Sequence, residues 1–128
     1  MKVKEVMLDA ITIEPDATVI QTIKKMEEKG FGSMIIVDEN KKLIGIITER
    51  DLVWFLAKTE NLRAQISKIM TKKVICVSSN SSLNEAAELM RENKIKRLPV
   101  VEKGKVVGVI TADVLIQNKD CLDEPFLF

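Results

Sequence analysis

The sequence predicts a mixed α/β (α+β) fold in which one unit, ordered strand, helix, strand, strand, helix, occurs twice. The chain of 128 residues resembles itself at a spacing of 63 to 64 residues. Each copy has an amphipathic helix behind a capping signal, then two short β-branched runs split by a polar turn. Because a unit of about 50 residues buries its sheet poorly alone, we expect the two copies to pack together around a pseudo-twofold axis.

The repeat aligns residues 6–52 with residues 69–115. Gly45 and Thr48 correspond to Gly108 and Thr111, and the gap is three residues in both copies. Matching gaps are typical of a duplicated supersecondary unit. We therefore divide the chain into repeat 1 (1–62), repeat 2 (63–120) and a C-terminal tail (121–128).

Local signals predict the elements of each repeat. Thr18 with Gln21, and Ser82 with Glu85, fit the capping box that begins a helix, and Gly30 is a suitable helix stop. The expected strands and helices are Ile11–Ile13, Met34–Val37, Leu43–Ile47, Glu49–Lys58, and then Ile75–Val77, Leu98–Val101, Val106–Ile110 and Ala112–Gln117. Pro99 must lie at the start or edge of its strand, since it has no N–H to donate. Arg63–Ile69 is expected to be a linking turn or short helix.

Composition excludes several classes of protein. A net charge of +1 gives no general field for nonspecific nucleic-acid binding, although a local basic patch stays open. The absence of histidine removes the usual general bases and most zinc sites. The apolar runs are too short for a membrane span and the N-terminus has no signal-peptide core. We expect a cytoplasmic protein that is not an enzyme, with reduced Cys76 and Cys121, no metal site and no required cofactor.

The pattern of helix, Leu98-Pro-Val-Val101, charged turn, and Gly-hydrophobic-Ile-Thr leading a second helix resembles the CBS domain. Two copies cover residues 3 to about 117, which resembles the tandem CBS pair called a Bateman module. The resemblance implies a regulatory module that binds AMP, ADP, ATP or S-adenosylmethionine in the cleft between the repeats. It also implies a homodimer and a separate effector protein, with no membrane partner.

The resemblance also implies a ligand motif, Gly-x-x-Thr/Ser-x-x-Asp, which repeat 1 carries as Gly45, Thr48 and Asp51. Asp51 would accept hydrogen bonds from the ribose hydroxyls, and Thr48 would lie at a helix N-terminus that favours polar ligands. A Thr-x-x-Asp sequence is also a helix cap that needs no ligand. Both interpretations stay open, and they compete mainly for Asp51.

Repeat 2 departs from the motif. It keeps Thr111, but Val114 stands at the Asp position and Asp113 comes one residue early. One residue turns a helix by about 100°, so Asp113 is expected to point elsewhere unless the helix begins one residue later. We therefore predict one good site per chain, built on repeat 1.

The remaining ligand residues are also implied by the resemblance. Lys96 and Arg97 would reach phosphates, against the alternative of a solvated basic turn. Arg50 would also reach phosphates, and the alternative for this residue is a surface or dimer ion pair. The adenine slot would be formed by Ile11, Thr12, Ile13, Ser33, Met34 and Ile35, of which Met34 and Ile35 also fit plain core positions. The tail could fold back, dock a partner or be disordered.

Four functions remain, and a ligand-sensing regulatory module ranks first. The alternative is a ligand-free dimerising scaffold, which the altered motif of repeat 2 keeps open. A small enzyme ranks third because no nucleophile and base converge. Nucleic-acid binding through Lys94–Arg97 ranks last and would show as salt-sensitive retention.

Overall fold

The computed structural model describes residues 1–126 and divides the chain into two compact units. The repeat-1 unit is Ile11–Val74, and the repeat-2 unit combines Met1–Ala10 with the chain from Ile75 onward. These boundaries differ from the expected 1–62 and 63–120. The difference arises because the segment that precedes each repeat in the sequence packs with the other repeat.

The repeat-1 unit is a three-stranded sheet with two helices, which confirms the predicted mixed α/β fold. Its elements are β1 (Thr12–Ile13), α1 (Val19–Lys29), β2 (Ser33–Val37), β3 (Leu43–Thr48), α2 (Glu49–Thr59) and a 3-10 turn at Ile66–Lys68. The sheet order is β1-β2-β3, with β1 parallel and β3 antiparallel to β2. The parallel pair is the one that the connecting helix α1 requires.

Capping explains why α1 begins and ends where it does. Thr18 Oγ1 accepts from the Gln21 N–H at 3.2 Å, and Gln21 Oε1 accepts from the Thr18 N–H at 2.9 Å. This is the predicted capping box. The helix ends at Gly30, whose φ of 73° is a left-handed conformation that glycine adopts with little strain.

The core of the repeat-1 unit lies between the sheet and its helices. Alternate strand residues point into it, as expected for strands with one face covered. Its buried members are Ile13, Val19, Met26, Met34, Ile36, Ile47, Leu52 and Ile66. Ile66 comes from the linker after α2, which therefore belongs to this core.

The repeat-2 unit has the same topology. Its elements are β4 (Val77–Ser78), α3 (Leu83–Asn93), β5 (Arg97–Glu102), β6 (Lys105–Thr111) and α4 (Ala112–Gln117), with 3-10 turns at Val3–Glu5 and Lys119–Cys121. The sheet order is β4-β5-β6, with the same parallel and antiparallel pairs. Val3, in the first turn of the chain, is fully buried in the core of this unit.

Pro99 lies inside the central strand β5, where a missing N–H is usually costly. The parallel strand β4 pairs with β5 only at Val100 and Val101, so β6 is the one neighbour of β5 at Pro99. The central strand is thus an edge at this residue, in agreement with the expectation.

Two glycines admit the segments that precede the repeats. Leu8 exchanges two 2.9 Å backbone hydrogen bonds with Val109 of β6, and Thr71 exchanges bonds of 2.9 and 3.0 Å with Ile46 of β3. A Cβ at Gly108 would lie 2.9 Å from the Leu8 carbonyl oxygen. At Gly45 it would lie 2.6 Å from the sulfur of Met70. Glycine is therefore needed here for close approach, in the helix-flanking strands of both repeats.

Within residues 1–126, none of the helices combines the length and apolar character that crossing a membrane demands.

Candidate ligand-binding site

The junction between β3 and α2 carries the predicted motif in repeat 1. Thr48 is still extended (φ −115°, ψ 163°) and the helix begins at the next residue. Thr48 Oγ1 accepts from the Asp51 N–H at 3.2 Å, while Asp51 Oδ2 accepts from the Thr48 N–H at 2.9 Å. The Thr48–Asp51 motif therefore forms the helix cap that the sequence allowed.

This cap leaves part of Asp51 available. Only Oδ2 accepts a hydrogen bond within the described residues, so Oδ1 keeps its full acceptor capacity. The side chain is half-buried. The cap fixes the carboxylate in one orientation, so the capping and ligand-binding roles can coexist in Asp51.

Strand register decides which predicted residues share a surface with Thr48. Ser33 pairs with Thr48 across β2 and β3, and Thr12 pairs with Ile35 across β1 and β2. Residues directly opposite in a sheet point to the same face, and alternate residues along a strand share a face. Thr12, Ser33, Ile35 and Thr48 therefore lie on the sheet face that turns away from α1 and α2, here called the outer face.

Two predicted slot residues point the other way. Ile13 and Met34 are 9% and 1% exposed and belong to the core of the repeat-1 unit. A ligand could meet them only through their backbone atoms. Ile11, just before β1, is half-buried and packs against the same core. The plain-core alternative holds for the side chain of Met34, whereas Ile35 lies on the outer face.

Arg50 is exposed and is engaged by a neighbour on its own helix. Its guanidinium lies 4.0 Å from the centroid of the Trp54 ring, which is a cation–π contact between residues one helical turn apart. Phosphate binding and an ion pair were the two alternatives considered for Arg50, and this contact was not predicted.

The corresponding junction in repeat 2 lacks the carboxylate. Thr111 Oγ1 accepts from the Val114 N–H at 3.2 Å, so the hydroxyl half of the cap is retained. Val114 is 6% exposed and belongs to the core of the repeat-2 unit. Because α4 begins at Ala112, as predicted, Asp113 stays one position early and does not occupy the place of Asp51.

The other two predicted residues of repeat 2 stand at the start of β5. The Lys96 carbonyl accepts from the Ala112 N–H at 2.9 Å, and Arg97 is in register with Thr111. Burial lowers the pKa of the Arg97 guanidinium, and the Asp113 carboxylate opposes that shift. The Asp113 carboxylate, displaced from the place of Asp51, therefore interacts electrostatically with Arg97.

Sequence reasoning missed two residues at the repeat-1 junction. Ile46 pairs with Ile35 and adds an apolar side chain to the outer face, a position that the alternation along β3 could have indicated. Glu49 donates its N–H to the Gly32 carbonyl at 3.0 Å. A Cβ at Gly32 would lie 3.4 Å from the Glu49 carboxylate, so this acidic group covers the glycine.

The described residues contain no cluster of three or more histidine, cysteine or acidic side chains able to hold a metal ion.

Comparison with known proteins identifies relatives for the whole repeat. The CBS domain family model matches residues 3–58 and 66–118. An uncharacterized protein of Methanopyrus kandleri is 41% identical over 122 residues, covering 93% of this chain and 60% of that protein. Inosine-5'-monophosphate dehydrogenase of Methanocaldococcus jannaschii is 38% identical, covering 92% of this chain and 24% of the enzyme. The chain thus spans less than two thirds of these relatives.

Solved structures agree with the family match. A CBS-domain containing protein from Agrobacterium tumefaciens has a TM-score of 0.80 at 26% identity, covering 93% of this chain and 99% of that one. A CBS domain pair crystallised with 5'-methylthioadenosine and S-adenosyl-L-methionine has a TM-score of 0.81 at 28% identity, covering 94% and 96%. The family match covers both copies of the duplicated unit, each with a threonine that caps its second helix. The chain therefore belongs to the CBS-domain proteins and carries two CBS domains in tandem.

Proposed function

We propose that this chain is a regulatory CBS pair that binds an adenosyl ligand (AMP, ADP, ATP or S-adenosylmethionine) and signals ligand binding to a separate partner. The observation that carries the proposal is the oriented Asp51 carboxylate, which the Thr48 N–H holds through one oxygen at 2.9 Å while the other oxygen stays available. The similar pair crystallised with two adenosyl compounds supports this ligand class.

The chemistry of the repeat-1 junction suits a nucleoside. A carboxylate accepts hydrogen bonds from two neighbouring hydroxyls, and charge-assisted bonds of this kind are the stronger ones. Fixing Asp51 before binding lowers the entropy lost on binding. On the outer face, the half-buried Ile46 supplies apolar surface of the kind that a purine ring requires, beside Ile35, which is 7% exposed.

Lys96 and Arg97 are proposed as ligands for an anionic group. This role predicts a difference between ligands, since 5'-methylthioadenosine carries no phosphate. Arg97→Ala should weaken AMP or ATP binding at least tenfold and change 5'-methylthioadenosine binding less than twofold. Equal losses for both ligands would assign Arg97 to the stability of the repeat-2 unit instead.

A regulatory role fits the way relatives use this unit. The chain matches 24% of an inosine-5'-monophosphate dehydrogenase, which is a much longer chain than the CBS pair alone. We propose that the activity of such a pair lies in binding rather than in catalysis.

Thermal unfolding with AMP, ADP, ATP, S-adenosylmethionine and 5'-methylthioadenosine tests the function. A ligand at about 100 times its Kd adds about 2.7 kcal/mol to the free energy of unfolding, which raises Tm by several degrees in a domain of this size. We expect a shift with at least one adenosyl compound and none with guanosine or cytidine counterparts. The absence of any shift would move the ligand-free scaffold to first place.

Asp51→Asn is the sharpest variant for this experiment, because the amide oxygen can still accept from the Thr48 N–H and keep the cap. We expect the free energy of unfolding without ligand to stay within about 1 kcal/mol of that of the native chain, while the ligand-induced shift falls to about half or less. Asp113→Asn is the matched control, with an equal charge change in the first turn of α4. It should keep the full shift.

The scaffold alternative has one observation in its favour, an apolar groove on the repeat-1 unit. A cavity of about 530 Å³ opens between α1 and α2, and its apolar lining is Ile23, Met26, Phe31, Leu52, Val53 and Leu56. Val53 and Trp54 beside it are 62% and 55% exposed. Exposed apolar surface of this kind marks interaction sites, and we propose a homodimer through this groove.

Sedimentation velocity across a hundredfold range of concentration tests the homodimer. Val53→Glu should shift the chain to monomer, whereas Val107→Glu, at a position that is 40% exposed on β6, should not. Trp54 is the only tryptophan, so its emission should change with the dimer fraction. If the native chain is monomeric and still binds an adenosyl ligand, the homodimer proposal fails and the ligand-binding proposal stands.

A further inference from the structure

The last described residues of the chain pack against the core of the repeat-2 unit. This tail segment, Leu122–Phe126, follows the 3-10 turn at Lys119–Cys121. Phe126 is only 7% exposed and joins the buried core of the unit, and Leu122 packs against that core. The tail predicted for 121–128 therefore folds back as far as Phe126, while Leu127 and Phe128 lie outside the described residues.

Polar contacts hold the tail segment on one side of α3. The Asp123 N–H donates to Asn84 Oδ1 at 2.9 Å, and Arg91 Nη2 donates to the carbonyl oxygens of Pro125 at 3.0 Å and Glu124 at 3.3 Å. The Arg91 guanidinium also lies 5.3 Å from the centroid of the Phe126 ring. Asn84 and Arg91 are two helical turns apart, so they form one line along the helix, here called the α3 stripe.

These contacts are of the kind that a bound peptide makes with a receptor, through its main chain and one anchoring side chain. The polar groups of the α3 stripe bind the main chain of the tail segment, and a single aromatic side chain fills an apolar site. Asp123 and Glu124 form no ion pair within residues 1–126, and the tail segment joins neither sheet. Phe126, Leu122 and a few hydrogen bonds to its backbone attach the segment, without the cooperative ladder that fixes a strand.

Repeat 1 lacks the groups that hold the tail segment. By the alignment of the two repeats, Ile20 stands where repeat 2 has Asn84, and Glu27 stands where it has Arg91. An isoleucine cannot accept from a backbone N–H, and a carboxylate would repel the peptide carbonyls and the acidic Asp123 and Glu124. The α3 stripe is therefore a property of repeat 2 alone and not of the duplicated unit.

We propose that the α3 stripe is a docking site for a short peptide bearing a phenylalanine, and that the tail segment is the tethered occupant that masks it. Tethering gives the tail segment an effective concentration of the order of millimolar, so an untethered peptide of the same sequence competes poorly. When Phe126 is removed, the site is open to a peptide supplied in trans.

A labelled peptide of residues 119–126 tests the proposal by fluorescence anisotropy against the full chain. We expect saturable binding to the Phe126→Ala chain and at least tenfold weaker binding to the native chain. Arg91→Ala added to Phe126→Ala should weaken binding at least tenfold, and a peptide with Phe126→Ala should not bind. Equal binding to the native and Phe126→Ala chains, or no binding to a folded Phe126→Ala chain, would overturn the proposal.

A second variant covers the case in which Phe126→Ala does not fold. Asn84→Ala removes the acceptor of the Asp123 N–H and leaves the buried core intact. Hydrogen exchange should then speed up at least tenfold at the amides of Asp123, Glu124 and Phe126, with the amides of α3 between Ala87 and Met90 unchanged. Unchanged exchange in the tail segment would show that it is a fixed part of the core, and the proposal would fail.

Discussion

The two repeats share a topology and a capping threonine, but they use the third position of the following helix differently. In repeat 1 this position is Asp51, which returns the hydrogen bond to Thr48. In repeat 2 it is Val114, whose N–H bonds to Thr111 while its side chain lies in the core. The fold therefore requires the threonine at both junctions, but it does not require the carboxylate at either.

This difference separates what the fold needs from what a ligand needs. A helix cap can be completed by the threonine alone, as repeat 2 shows. The additional carboxylate of repeat 1 keeps one oxygen that no described contact uses, which is the expected property of a binding group. The helix faces differ as well, because repeat 1 presents an open apolar groove and repeat 2 has Phe126 packed into its core.

The largest change in the free energy of unfolding is expected when repeat 2 is given the Thr-x-x-Asp motif of repeat 1. Val114→Asp loses a buried side chain and places a carboxylate at a position that is 6% exposed. It should lower the free energy of unfolding by about 3 kcal/mol, measured by urea denaturation. Ile116→Asp, on the same helix but 51% exposed, should change it by about 0.5 kcal/mol or less. A small effect of Val114→Asp would mean that repeat 2 can accommodate a second site.

Removing the carboxylate of repeat 1 should act on affinity rather than on stability. Losing charge-assisted hydrogen bonds to the ribose costs about 1.5 to 3 kcal/mol, so Asp51→Asn should raise the Kd of the adenosyl ligand about 10- to 100-fold. Asp113→Asn should change the Kd of 5'-methylthioadenosine, which has no phosphate for the neighbouring Arg97, less than twofold. Isothermal calorimetry measures both, and a similar loss in the two variants would point to net charge instead of a specific contact.

The two close-approach glycines should differ in their tolerance of a methyl group. Gly108→Ala brings its Cβ to 2.9 Å from a backbone oxygen, which cannot move alone. Gly45→Ala meets mainly the flexible sulfur of Met70 at 2.6 Å. We expect losses of about 2 and about 1 kcal/mol in the free energy of unfolding. The reverse order would show that the segment at Leu8 adapts more readily than Met70.

The smallest effect concerns Cys76, which corresponds in the alignment to Thr12 of repeat 1. Burial raises the pKa of the Cys76 thiol, so this group stabilises the fold below its unfolded pKa, and that contribution is lost as pH rises through its folded pKa. Thiol labelling should modify the exposed Cys121 first and Cys76 only at higher pH. Cys76→Ala should flatten the alkaline fall in stability, and Cys121→Ala should leave it unchanged.

Local signals predicted most of the architecture because both repeats carry the same periodicity and caps. The elements α4 and the left-handed Gly30 agree with the prediction residue by residue. The unit boundaries could not be predicted this way, since the Leu8–Val109 pairing joins residues from opposite ends of the sequence. The packing of Phe126 was one of three alternatives left open for the tail, since this contact also joins residues far apart in the sequence.

The candidate site was predictable in part. The Thr48–Asp51 motif is local, and its geometry agrees with the sequence pattern. Which of Met34 and Ile35 reaches the outer face depends on strand register, which the sequence alone left open. The Arg50–Trp54 contact follows from i, i+4 spacing and could have been predicted.

The central claim is that repeat 1, through Asp51, carries the one adenosyl site of the chain. A calorimetric titration of the native chain, with the compound that gives the largest thermal shift, tests it directly by the number of ligands bound. We expect one ligand per chain, with binding weakened at least tenfold in Asp51→Asn and kept in Asp113→Asn. Two equal sites per chain, or one site that persists unchanged in Asp51→Asn, would contradict it.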